Sequence, residues 1–267
     1  MSLWLLNHFS TFTLSVLLVG AIMAAAVIGS LAARRAHPRL AEGEHNEMVG
    51  VVLGMFGAIY GIILAFVVVT LWTQLDHTQT VVSKEATDLA LVVRSADVFP
   101  PADRERIQSA VGRYAHAVVD IQWPKMRAGE PSHAATADHV EGMYRALQAY
   151  EPTDARTQTF YEEAAASLND AAGQRRERID LATTELPTLL QVLVFGGALV
   201  LIPLTFIYGL RSLRMQLLFV ASVAALIGFS LLLVLVLDRP FAGELSVDPS
   251  PFREGALVQF WQAGAQG

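Results

Sequence analysis

Four apolar runs, at 9–33, 48–72, 189–210 and 216–237, constrain this chain more than any other feature of its sequence. A bilayer's hydrocarbon core is about 30 Å thick, and a helix needs about 20 apolar residues to cross it. All four runs reach that length, and none contains Asp, Glu, Lys, Arg or His. Inside hydrocarbon a backbone must satisfy its own polar groups, so an isolated run of this kind folds as a helix. The chain is 53% hydrophobic and 16% charged, an apolar excess beyond that of a soluble domain. The predicted fold class is therefore an all-α membrane protein with four transmembrane helices. Two precede and two follow a long polar insert. The first run outlasts the usual signal-peptide apolar region of about 7–15 residues. No Lys or Arg precedes it, so it is expected to be retained as a span.

The predicted divisions are 1–72, with two spans and a short basic loop; 73–187, an extramembrane antiparallel helical bundle; 188–237, two further spans; and 238–267, an interfacial tail. The insert is helical in pattern. Its first helix continues the second span through Leu75, Val82 and Leu89 to Val98, where Pro100-Pro101 stops it. Ile107, Val111, Tyr114, Val118 and Ile121 follow at 4-3-4-3 spacing, the seam of a bundle. Asp103 is expected to cap that helix, and Trp123-Pro124 to kink or end it. A shorter helix is expected at 137–150. A long one, capped by Thr153, leads toward the third span with Pro187 at the junction. The tail holds Pro240, Gly243, Pro249, Pro251 and Gly255 and reads as loop with a short terminal helix.

The second run is the most patterned. Gly50, Gly54, Gly57, Gly61 and Ala65 recur at steps of four, three, four and four, which stacks them on one helical face. An interior Gly costs about 0.8–1 kcal/mol against Ala in a soluble helix. The stripe therefore calls for a reason, either the close approach of another helix or the lining of a pore. In an oligomer both hold at once. Val52, Phe56, Ile59, Ile63, Phe66 and Val67 form the other face, suited to lipid or to a neighbouring subunit. Pores conduct through hydroxyls, carbonyls and hydrophobic constrictions without intramembrane charge. Phe56, Tyr60, Ile63 and Thr70 are the candidate liners. Proton-coupled and many ion-coupled transporters need ionisable groups inside their spans, and these spans have none.

Other chemistries find little support. The absence of cysteine excludes disulfides, thiolate metal sites and cysteine nucleophiles. A net charge of −6 argues against nucleic acid as a partner. No P-loop, G-x-S-x-G, HExxH or dinucleotide fingerprint occurs, so no enzyme activity, cofactor or metal is expected. His37 and His45 flank Glu42, Glu44 and Glu47 in a short loop, where solvated charge is the simpler reading than a bound divalent ion.

Arg34, Arg35, Arg39, Arg211 and Arg214 occupy the two short inter-span loops, against Arg239 and Arg253 in the tail and none before Phe9. The positive-inside rule then places both loops inside and the insert outside the cytoplasm. The insert holds 12 Lys and Arg against 18 Asp and Glu. Asp238 and Glu244, just beyond the fourth span, are candidate pore-mouth carboxylates. An acidic mouth concentrates cations, so a pore here is expected to pass them.

The segment Gly57-Ala58-Ile59-Tyr60-Gly61-Ile62-Ile63-Leu64-Ala65-Phe66, the region of Glu85, the stretch from Tyr114 to Trp123, and Asp238-Arg239-Pro240-Phe241-x-Gly243 followed by Ser246-Val247-Asp248-Pro249 together resemble the bestrophin-like family of bacterial and plant membrane proteins. More distantly they resemble the bestrophin channels. The resemblance implies a pentameric ion channel with its second span lining the pore, in a bacterial inner (plasma) membrane, with the lipid bilayer and inorganic ions as partners. It also implies a cytosolic helical domain and, from the eukaryotic members, anion selectivity, whereas the arginine and acid counts favour the opposite on both points. The alternative reading is a membrane-anchored sensor or interaction protein whose bundle binds a ligand or partner.

Overall fold

The computed structural model describes residues 2–38, 43 and 45–262. In chain order the helices are α1 (Ser2–His8), α2 (Thr11–Ala36), α3 (Asn46–Ser95), α4 (Pro101–His116), α5 (Trp123–Arg127), α6 (Ala137–Gln148), α7 (Ala155–Thr183), α8 (Thr188–Ile207), α9 (Leu213–Leu237) and α10 (Gln259–Gln262). A π-helical turn at Ala117–Gln122 joins α4 to α5. No strand occurs among the described residues. Four helical segments are long and apolar enough to cross a membrane: Thr11–Ala36, Asn46–Val98, Ala155–Ile207 and Leu213–Leu237. The chain is an all-α membrane protein. It divides into two compact units: Met1–Thr73 with Glu185–Arg239 and Gly243–Leu245, and Gln74–Thr184 with Pro240–Ala242 and Ser246–Gly267.

In the first unit, small residues let helices approach. Ala26 of α2 packs with Val220 and Ala224 of α9, flanked by Ile22, Ile202 and Phe206. A side chain at Gly29 would strike the Phe206 ring at 2.8 Å. Gly228 faces Val19 at 3.4 Å. Ser10 caps α2 by accepting from the Thr13 N–H, which satisfies one of the orphan donors of the first turn.

The second unit closes around one apolar core. Val82, Leu89 and Val93 of α3 meet Ile107, Val111 and Tyr114 of α4, Met143 and Leu147 of α6, and Leu168 and Ala171 of α7. Three local expectations differ from the structure here. Pro100 precedes α4 and Pro101 opens it, as suits residues whose missing N–H is not needed at a helix start. Asp103 therefore lies inside the first turn and pairs with Arg106 instead of capping. Asp154, not Thr153, caps α7 through a reciprocal capping box with Thr157. The chain does not break at Trp123-Pro124. The preceding turn widens, with the Trp123 N–H reaching Val118 five residues back, and the helix resumes to Arg127. The tail is loop and short turns ending in α10, as expected, and it is also packed: Phe241, Val247, Phe252 and Leu257 are buried in this core.

Candidate functional site

The candidate residues of α3 fall into three environments. Tyr60 is buried, and its hydroxyl donates to the Val194 carbonyl of α8 at 2.7 Å. Its ring lies so close to Gly197 that no side chain fits there. A methyl group at Gly50 would meet Tyr208 at 3.4 Å, whereas one at Gly54, Gly57 or Gly61 would have nothing within 4 Å. Within one chain, then, the middle of the glycine stripe is not a packed seam. Phe56 is 48% exposed. Thr70 is also exposed, and its hydroxyl returns to the Phe66 carbonyl one turn back at 2.9 Å.

Two apolar grooves border this helix. Gly57, Tyr60 and Gly61 line one of about 540 Å³, completed by Phe219, Val223 and Ile227 of α9. Phe56, Tyr60 and Ile63 line a second of about 360 Å³, with Val192, Gly196 and Val200 of α8. Gly50, Gly54 and Thr70 line neither.

Asp238 and Glu244 each accept a backbone N–H in the first unit. Asp238 Oδ1 accepts from Leu186 at 2.7 Å, just ahead of α8. Burial pushes its carboxyl up from the ordinary value, against the pull of that N–H and of Arg239. Arg239 in turn pairs with Glu185 at 2.7 Å. Glu244 Oε2 accepts from Thr11 at 2.9 Å, placing negative charge at the positive end of α2. Glu42, Glu44 and Arg39 lie outside the described residues. Among the described residues no group of three or more His, Asp and Glu is placed to hold a metal.

The sequence reasoning missed a charge network inside the second unit. Arg178 of α7 and Glu85 of α3 are fully buried, bonded Nε to Oε2 at 2.7 Å and Nη2 to Oε1 at 3.1 Å. The Tyr114 hydroxyl donates to the same Oε1 at 2.5 Å, and Arg178 Nη2 reaches Gln122 Oε1 at 3.0 Å. The guanidinium carbon lies 5.6 Å from the Trp123 ring centre and 5.8 Å from that of Phe252, within cation–π range. Burial, then Glu85, raises the Tyr114 phenol well above its usual value, so it stays a neutral donor. Full burial alone would lower the Arg178 pKa, but Glu85 more than offsets it and the net shift is upward. Arg175 donates to Thr136 at 2.8 Å and to the His133 carbonyl, with its pKa lowered by burial. The signal was present: Glu85 stands between Val82 and Leu89 in the apolar register of α3, as Arg178 does beside Ile179 and Ala182 in α7. A charge in such a register is expensive unless paired.

These features define a helical membrane protein with a polar unit that encloses a buried ion pair. A bestrophin-like domain model matches residues 20–252, and the chain belongs to the bestrophin-like family. Comparison with curated proteins finds no match. Among solved structures, a crystal structure of a membrane protein variant has 14% identity and a TM-score of 0.68, covering 93% of this chain and 99% of its own. Two point mutants of a bacterial bestrophin homologue from Klebsiella pneumoniae are similar in fold. One has 14% identity and TM-score 0.66, covering 91% and 98%; the other has 16% and 0.64, covering 93% and 99%.

Proposed function

We propose that this protein is a homo-oligomeric ion channel rather than an enzyme, with α3 lining the pore. The carrying observation is the open glycine face of α3: a side chain added at Gly54, Gly57 or Gly61 would meet nothing within 4 Å from any other element of its own chain. A second copy packed there would account for their cost, and family membership makes an oligomeric channel the natural assembly. By resemblance the assembly is a pentamer. Phe56, Tyr60, Ile63 and Thr70 are the proposed liners, Asp238 and Glu244 the proposed mouth residues. The acid excess of the insert supports cation permeation. The inter-span arginines support a location in a bacterial inner membrane with 73–187 outside the cytoplasm.

Purified protein in liposomes should conduct, with a reversal potential that follows the cation gradient. A reversal potential near that of chloride would overturn cation selectivity, and no flux from an intact oligomer would overturn the channel. Gly57→Leu should abolish flux or assembly; retention of both would remove α3 from the pore. Single cysteines in place of the exposed Ala134 and Ser212 test orientation, since only the former should label in intact cells.

A further inference from the structure

We propose that the inter-span loop end of the first unit is a docking surface for anionic phospholipid headgroups. The inference requires insertion in a bilayer but not conduction. Arg34 and Arg35 close α2, and Arg211 and Arg214 bracket the start of α9. Arg34 donates from Nη1 to the Leu210 carbonyl and from Nη2 to the Arg211 carbonyl, each at 3.1 Å. Those bonds gather the two arginine pairs at one place. The loop is fixed from its other side by Asn46, whose Nδ2 donates to the Gly209 carbonyl at 2.7 Å while its Oδ1 accepts the Gly209 N–H at 2.9 Å. Among the described residues, no carboxylate lies within ion-pair distance of any of these four arginines. Glu47, in the first turn of α3, makes no such pair.

Guanidinium groups gathered with no carboxylate paired to them among the described residues repel one another, and an external anion relieves that repulsion. Two further observations favour a lipid headgroup as that anion. Ser212 precedes α9 without capping it through its side chain, so the first N–H groups and the positive helix end are open to an acceptor. On the adjoining turns Leu213, Met215 and Leu218 are exposed apolar side chains, which suit the acyl chains below a headgroup. Arg35, Arg211 and Arg214 are exposed and free to meet phosphate, while Arg34 is committed to the loop carbonyls. Arginine's planar donor fork matches phosphate oxygens bidentately.

The test is a binding titration on the detergent-purified full chain, with short-chain phosphatidylglycerol, phosphatidylcholine and inorganic phosphate as separate probes. Phosphatidylglycerol should bind in preference to phosphatidylcholine. The triple variant R35Q/R211Q/R214Q should weaken it by roughly a hundredfold, from the usual contribution of three basic residues at an anionic surface. The triple lysine variant R35K/R211K/R214K should recover most of the loss. Equal affinity for the two lipids, or an unchanged affinity in the glutamine variant, overturns the proposal. Inorganic phosphate binding as tightly as phosphatidylglycerol identifies a free-anion site and overturns it too. The wild type supplies a check that needs no variant: added salt should weaken phosphatidylglycerol binding, and insensitivity to salt refutes the electrostatic surface.

Discussion

In the first unit Phe66 is 69% exposed and Leu199 75%, whereas in the second the charged side chains of Glu85 and Arg178 have no exposure at all. The usual sorting of apolar residues inward and charges outward is reversed at both places, for different reasons. Lipid tails are as apolar as the side chains that face them, so a membrane span need not bury its apolar surface within the chain. The second unit instead closes around an apolar core of its own, where burial follows the hydrophobic effect. The Arg178 guanidinium survives there with its partners Glu85 and Gln122 in place. Each unit is therefore vulnerable to a different kind of substitution.

The largest expected effect is in the second unit. Arg178→Ala leaves Glu85 buried without its counter-charge and should cost about 3–5 kcal/mol, read as a loss of stability of the purified protein in denaturant. The double substitution Glu85→Leu with Arg178→Leu should cost less than Arg178→Ala alone, because no charge is stranded. If the single substitution cost nothing, the network would not be what holds this unit together.

In the first unit the corresponding weak point is a close approach. Gly197→Val drives a side chain into the Tyr60 ring and should cost about 1–3 kcal/mol by overpacking. Gly54→Ala meets open space and should leave the chain's own fold intact or gain up to about 1 kcal/mol of helix propensity. Thermal unfolding of the two variants side by side measures the contrast. Similar shifts would mean that the two glycines share one environment.

The smallest effect sharpens the comparison through pH. Burial raises the Asp238 carboxyl pKa, so the folded state holds that proton more tightly than the unfolded chain does. Wild-type stability from this group should rise as pH falls through the raised value toward the ordinary Asp pKa of about 3.9. Asp238→Asn keeps an acceptor for the Leu186 N–H and lacks that titration. The difference between the two stability–pH curves should therefore appear only in that acidic window. Parallel curves throughout would show that burial does not strain this carboxylate.

The four apolar runs, the helical insert and the seam at Ile107, Val111, Tyr114 and Val118 were legible because each follows from periodicity and length. Ile121, which the same spacing puts on that seam, is instead 44% exposed, because the widened turn carries the buried face to Gln122 and Trp123. The glycine stripe was legible as a pattern, but not its surroundings, since spacing places residues on a face without saying what faces them. Tyr60 illustrates this: it reads as a pore liner by position, yet its hydroxyl is spent on Val194. Phe241 and Phe252 were hidden for another reason. They stand among Pro and Gly, where no helical or strand period exists to reveal a buried side. Glu85 and Arg178 are far apart in sequence, and pairing at that separation is decided by the fold.

The widened turn at Ala117–Gln122 has a consequence for descent. Such a turn holds one residue more than the α-helix it interrupts, so deleting a residue there could be absorbed without breaking the helix. The widening offsets the extra residue, so the residues beyond it hold the face they would have in an unbroken helix one residue shorter. Gln122, Trp123 and Met126, which all touch Arg178, depend on that offset: the same residues wound as a regular α-helix would turn by about 100° around the axis. A lineage carrying Arg178 therefore closes the turn only by losing a residue there.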